Sequence, residues 1–231
     1  QAHVIGSSKE THYDRIPELS GAPGGSAYVH YTTNNTIFGT QFQSIPQVDM
    51  PLIADMSSDI FSKTFDPAPY QLIYAGAQKN MGPAGTAMYA FDRDAAGKTG
   101  RSIPSYLDLE VHAKKDSMFN TPAVFPIYVT MLTMRWMQSI GGVATMEKRN
   151  NEKAGLIYNE IDRNALFEGH AQVESRSKMN ATFRLKDEQF AAAFDELWKS
   201  AGINGLKGHR SVGGYRASMY NALPVESVQV L

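Results

Sequence analysis

Gln71-Leu72-Ile73-Tyr74-Ala75-Gly76-Ala77-Gln78-Lys79-Asn80-Met81-Gly82-Pro83-Ala84-Gly85 joins a short apolar run, Gln71–Ala75, to a Gly- and Pro-rich loop that carries one lysine. Five residues of this kind bounded by loop-formers have the pattern of a buried strand. Ala27–Thr32, Met50–Ala54 and Ala87–Phe91 share that pattern on either side. Asn34-Asn35-Thr36 reads as a turn, and Asp59–Lys63 as a short helical turn between two of the strands. Strands at this spacing predict an α/β sheet with parallel pairs. Sites in such sheets lie beyond the strand ends, which directs attention to the loop after Ala75.

After about Thr121 the texture changes. Pro122–Ile140 is rich in Met, Val and Trp, and Gly141-Gly142 closes it as a helix C-cap does. Val143–Ile161 places Met146, Ala154, Ile157, Tyr158 and Ile161 at helical spacing, which predicts them inward. Lys178–Leu185 alternates like a strand, Asp187–Ala201 is an amphipathic helix, and Gly214–Met219 is a further strand. Residues 122–231 therefore read as linking helices and a small α+β domain, and residues 1–121 as part of a larger one. A last amphipathic helix begins near Pro224, with Val225, Val228 and Leu231 on one side.

The 231 residues, 42% hydrophobic and 19% charged, are enough to bury a core. No run approaches the roughly 18 apolar residues of a membrane span. Gln1–Asp14 has no basic-then-apolar signal pattern, so a cytoplasmic protein without a membrane partner is expected. The absence of cysteine excludes disulfides, thiolate metal sites and cysteine nucleophiles. A formal charge of −1 creates no broad field for nucleic acid, so anions must be held by local clusters. The opening on Gln1 and the stop at Leu231 inside a helical pattern predict a piece of a longer chain.

Asp55 closes one strand and Lys79 follows the next, so both are expected at one rim of the sheet. A carboxylate that keeps a pyridine nitrogen protonated and an amine that bonds an aldehyde are the pair that pyridoxal phosphate (PLP) chemistry needs. Taken alone the pair also reads as a cap for Ser57–Lys63 and a solvated loop lysine. The wording around it decides between these. Ala54-Asp55-Met56-Ser57-Ser58 and Tyr74–Gly85 closely resemble the cofactor segments of phosphoserine aminotransferases, PLP enzymes of the aspartate-aminotransferase fold (fold type I, class V). The resemblance continues through Ser117–Pro122, Met146–Asn150, Arg176–Asn180 and Leu206–Ser218, in order and at matching spacing. It departs at Met81, Ala123 and Ala181-Thr182.

The resemblance implies an aspartate-aminotransferase-like large-domain sheet with a smaller C-terminal α+β domain, and a chain that is the C-terminal portion of the enzyme. It makes Lys79 the catalytic lysine that links to PLP, Asp55 the partner of the pyridine nitrogen, Gln78 a neighbour of the cofactor phosphate and Thr36 a hydroxyl at the ring substituents. Asn120 and Thr121 would reach the phosphate of the other subunit's PLP, which implies a homodimer whose sites are completed across the interface. Arg216 would hold the substrate α-carboxylate, with His209 and Arg210 on the distal phosphate or carboxylate. The implied reaction is transamination between glutamate and 3-phosphohydroxypyruvate, giving O-phosphoserine and 2-oxoglutarate in serine biosynthesis, with a parallel use in bacterial vitamin B6 synthesis. It also implies an earlier part of the chain with a phosphate-capping loop, a stacking tryptophan and a His-Arg pair. The competing readings are another fold type I small-molecule aminotransferase and an inactive PLP-fold fragment.

Other patterns carry less. Gly97-Lys98-Thr99 has the ending of a P-loop, but Asp92 stands where its first glycine belongs. His112, Lys114 and Lys115 read as a solvated loop. Asn34-Asn35-Thr36 and Asn180-Ala181-Thr182 fit the glycosylation sequon without a secretory signal beside them. No His-Glu-x-x-His or Gly-x-Ser-x-Gly segment occurs, and no metal site is expected.

Overall fold

The computed structural model describes residues 1–98 and 100–231, so the P-loop-like ending at Thr99 lies partly outside the described residues. Strands β1 (Val29–Thr32), β4 (Leu52–Asp55), β5 (Tyr70–Gly76) and β6 (Ala87–Phe91) form one sheet in the order β1-β4-β5-β6. The first three run parallel, and Thr32, Asp55 and Tyr74 lie side by side at their C-terminal ends. Strand β6 is antiparallel to β5. Its loop is too short for the crossover that a parallel return requires, and Ala77 N–H to Thr86 O, 3.0 Å, extends the hairpin ladder into that loop.

Two expectations about local structure need correction here. Asn34–Asn35 is strand β2, paired antiparallel with β3 (Thr40–Gln41), and the reversal falls at residues 36–39 instead. The Asn35 carboxamide oxygen accepts from Ile37 and Phe38 N–H, and Gly39 takes the positive φ of +73° that closes the turn. Asp59–Lys63 is a hydrogen-bonded turn and not a helix: Ile60 N–H reaches Met56 O, but Phe61 at φ +57° stops propagation.

A third correction concerns His112 and Lys114, which lie in helix α1 (Leu109–Lys114). Asp108 caps it by accepting from Glu110 N–H, and Lys114 pairs with Glu110 at 2.7 Å. Helices α2 (Val124–Ser139) and α3 (Gly142–Arg163) follow, separated at Gly141, whose φ of +107° is the left-handed break expected there. The second sheet is antiparallel, in the order β7 (Phe167–Gly169), β8 (Asn180–Leu185) and β9 (Tyr215–Ser218). Strand β7 had no sequence signal of its own. Helix α4 (Ala191–Ser200) and the short α5 (Val225–Gln229) complete the fold.

Two apolar cores result. Ala54, Ile73 and Ala75 of the first sheet pack with Met56, Ile60, Ala77 and Met81. The inward residues of α3, Ala154, Ile157, Tyr158 and Ile161, pack on Ala181, Phe183 and Leu185 of β8 and on Tyr215 and Ala217 of β9. Helix α2 is different. Met137 is its buried residue, whereas Phe125, Tyr128, Leu132 and Trp136 are exposed. Among the described residues no helix is long and apolar enough to cross a membrane.

Candidate active site

The C-terminal rim of the first sheet opens into a cavity of about 370 Å³. Asp55 and Lys79 both line it, with Thr36, Asn34, Ser57 and Ser58 between them. Asp55 ends β4 and accepts from Ser57 N–H at 2.9 Å, which turns the chain away and leaves the carboxylate at the rim. Lys79 sits in one helical turn, since Met81 and Gly82 N–H both reach Ala77 O. Burial pushes the Lys79 amine below its usual range; Asp55 opposes that shift and the Arg216 guanidinium adds to it. A desolvated amine of this kind carries a larger fraction of the neutral, nucleophilic form at neutral pH.

Behind the rim a seam of buried amides joins the two sheets. Asn34 Nδ2 donates to Ser58 Oγ at 2.9 Å and to Asn180 Oδ1 at 3.0 Å. Gln41 donates to Asp59 at 3.0 Å and accepts from Lys178 N–H at 2.9 Å. Asp59 is almost wholly enclosed; burial raises its pKa against the opposing hydrogen bonds from Thr33 and Gln41. Next to Lys79, Asn80 donates to Ile60 O and accepts from Asn221 N–H, both at 3.0 Å. Asn221 in turn meets Phe61 O and Asn150, so the lysine loop is tied to the segment leaving β9.

Arg216 lies on that strand, opposite Thr182, and its Nη1 donates to Thr36 O at 2.9 Å. Its Nε is buried without a partner. A buried guanidinium N–H that lacks an acceptor is the donor a carboxylate completes. His209 and Arg210 share the same loop, which is pinched at its neck where Gly208 N–H meets Gly214 O at 2.8 Å. His209 Nδ1 bonds Ser211 Oγ at 2.7 Å, Arg210 is exposed, and neither lines the cavity. Gln78 is exposed and folds its amide over Gly76. Asn120 and Thr121 are exposed ahead of α2 and do not line this chain's cavity. Sequence reading missed Arg15 and Ser8, which line the cavity from a segment held by Ile16 N–H to Ser175 Oγ at 3.0 Å. No local pattern marks them, because the holding contact spans 159 positions.

An amine, a carboxylate and several hydroxyls around one cavity fit an anionic aromatic aldehyde such as PLP. A mixed α/β sheet with a lysine and an aspartate converging at its rim defines a protein of the aminotransferase type. The chain belongs to the class-V aminotransferases, whose family profile matches residues 9–231. It is 59% identical over 228 residues to the phosphoserine aminotransferase of Flavobacterium psychrophilum, covering 99% of this chain and 64% of that one. The phosphoserine aminotransferase of Flavobacterium johnsoniae is 57% identical over the same span, again with 64% of its length covered. Among solved structures, phosphoserine aminotransferase from Bacillus circulans subsp. alkalophilus superposes with a TM-score of 0.93 at 41% identity, covering 98% of this chain and 64% of that one. PLP-bound phosphoserine aminotransferase from Trichomonas vaginalis gives 0.88 at 36% identity, covering 94% and 62%. The chain thus spans slightly under two thirds of the length of these relatives.

Proposed function

We propose that the protein catalyses PLP-dependent transamination between glutamate and 3-phosphohydroxypyruvate, giving O-phosphoserine and 2-oxoglutarate. The observation that carries this reading is the half-buried Lys79 amine sharing one cavity with Asp55 and lying within electrostatic reach of Arg216. When bound, PLP supplies the electron sink that makes the substrate Cα proton acidic. Asp55 would hold the proton on the ring nitrogen, and Lys79 would be the amine that holds the cofactor and moves the substrate Cα proton. Arg216 pairs with the α-carboxylate; the unpartnered Nε supports that role. His209 and Arg210 serve the distal phosphate or carboxylate, and Thr36 and Gln78 complete the cofactor contacts.

Residues 1–121 contribute to the PLP-binding domain, and residues 122–231 form the linking helices and the smaller domain. Asn120 and Thr121 serve the partner's cofactor phosphate in a homodimer. Their exposure, their absence from the lining of their own cavity and the exposed apolar side of α2 support that arrangement. The decisive experiment is borohydride reduction of the PLP-treated protein followed by peptide mapping. The label is expected on Lys79 and lost in Lys79→Ala; a label elsewhere, or turnover retained in that variant, refutes the assignment. Rates with phosphorylated against unphosphorylated keto acids test the substrate, with the phosphorylated acid expected to be preferred.

A further inference from the structure

Asp55 has a second neighbour that the reaction described above leaves unused. On the face of the sheet that carries Asp55, strand register also places Thr32 and Ile53, with His30 beside Ile53 and Tyr74 beside Asp55. The His30 and Tyr74 rings reach across β4 and meet above it: their planes lie 20° apart, and His30 Nε2 is 2.9 Å from the Tyr74 hydroxyl. Tyr89 stacks on the far side of Tyr74 at 6.3 Å, so the ring is held from both flanks. A phenol has one proton to give and can accept as well. In the tautomer whose Nε2 carries the proton, the imidazole donates to the Tyr74 oxygen, and the hydroxyl is free to direct its own proton at Asp55, its neighbour in the strand register.

We propose that His30 and Tyr74 are positioning residues that act through Asp55, a hydrogen-bonded relay in which Tyr74 donates to the carboxylate and His30 to Tyr74, setting how strongly Asp55 holds its partner proton. The pKa of Tyr74 is raised by burial and then by the charge and hydrogen bonding of Asp55, in keeping with a phenol whose proton is shared with that carboxylate. The titratable groups facing the relay are Tyr89 on β6 and, around Asp55, Lys79 and Asp59. The relay rests on the PLP reading of the site.

The test is a pH titration of the visible absorbance of PLP bound to the protein and to Tyr74→Phe, His30→Ala and His30→Gln. Loss of the phenol leaves the Asp55 charge less compensated, so nearby protons are held to higher pH. The midpoint in Tyr74→Phe should move up by on the order of one pH unit. His30→Ala should move it less in the same direction, and His30→Gln, which keeps an N–H at similar reach, should restore it. The Tyr74→Phe/His30→Ala double variant should match Tyr74→Phe alone, because His30 acts only through the phenol. An unmoved midpoint in Tyr74→Phe, or shifts that add in the double variant, overturns the relay. A protein that forms no visible lysine-bound band before any substitution overturns the PLP reading itself, and the relay falls with it.

Discussion

Lys153 is fully enclosed, and its Nζ donates to the carbonyls of Met219 and Tyr220 at 3.0 and 2.9 Å. No carboxylate pairs with it among the described residues, and burial, helped by Arg149, lowers its pKa to about 8. Between about 8 and its ordinary 10.5 the unfolded chain binds more protons at this amine than the folded one, so its contribution to stability rises with pH across that window. Below pH 8 the full cost of enclosing the charge applies. The unfolding free energy of the protein relative to Lys153→Met should therefore grow by up to about 3 kcal/mol from pH 7 to pH 10.5, measured by urea denaturation. Gly39 is constrained in another way. Its φ is +73°, and an added Cβ would lie 2.7 Å from Asn180 O. Gly39→Ala should cost about 2 kcal/mol or more, read from the same denaturation curves.

Among the elements, the lysine loop depends on the segment after β9 through Asn80 and Asn221. Removing either side chain strands buried partners, so Asn80→Ala and Asn221→Ala should each cost about 1–3 kcal/mol. Their effects should fall short of additive by more than about 0.5 kcal/mol in a double-mutant cycle, whereas distant sites would add. This seam was not legible in the sequence: asparagine in a loop signals a turn, and nothing local shows that Asn80 will meet Asn221. The strands and long helices were legible to within a few residues, because alternating or helical spacing of Val, Ile, Leu and Met records burial directly. Asp55 and Lys79 were legible as a pair at strand ends. Strands β2 and β3 were not, being two residues each and polar, and Lys153 reads as a surface charge until α3 is seen packed.

At the scale of the whole molecule, the proposed homodimer predicts how variants complement one another. If Asn120 and Thr121 serve the opposite subunit, then mixing Lys79→Ala protein with an Asn120→Ala/Thr121→Ala variant should rebuild one intact site per mixed dimer. Under random exchange that is about a quarter of the original activity, measured after co-refolding. No recovery would mean that each chain completes its own site. The Asn80–Asn221 contact has a consequence of another kind. Its two ends are separated by 141 positions. At ordinary rates of synthesis roughly ten seconds pass between their emergence from the ribosome. During that interval Asn80 has no Asn221 to accept from, so the tie between the lysine loop and the segment leaving β9 is among the last contacts of the site that synthesis permits.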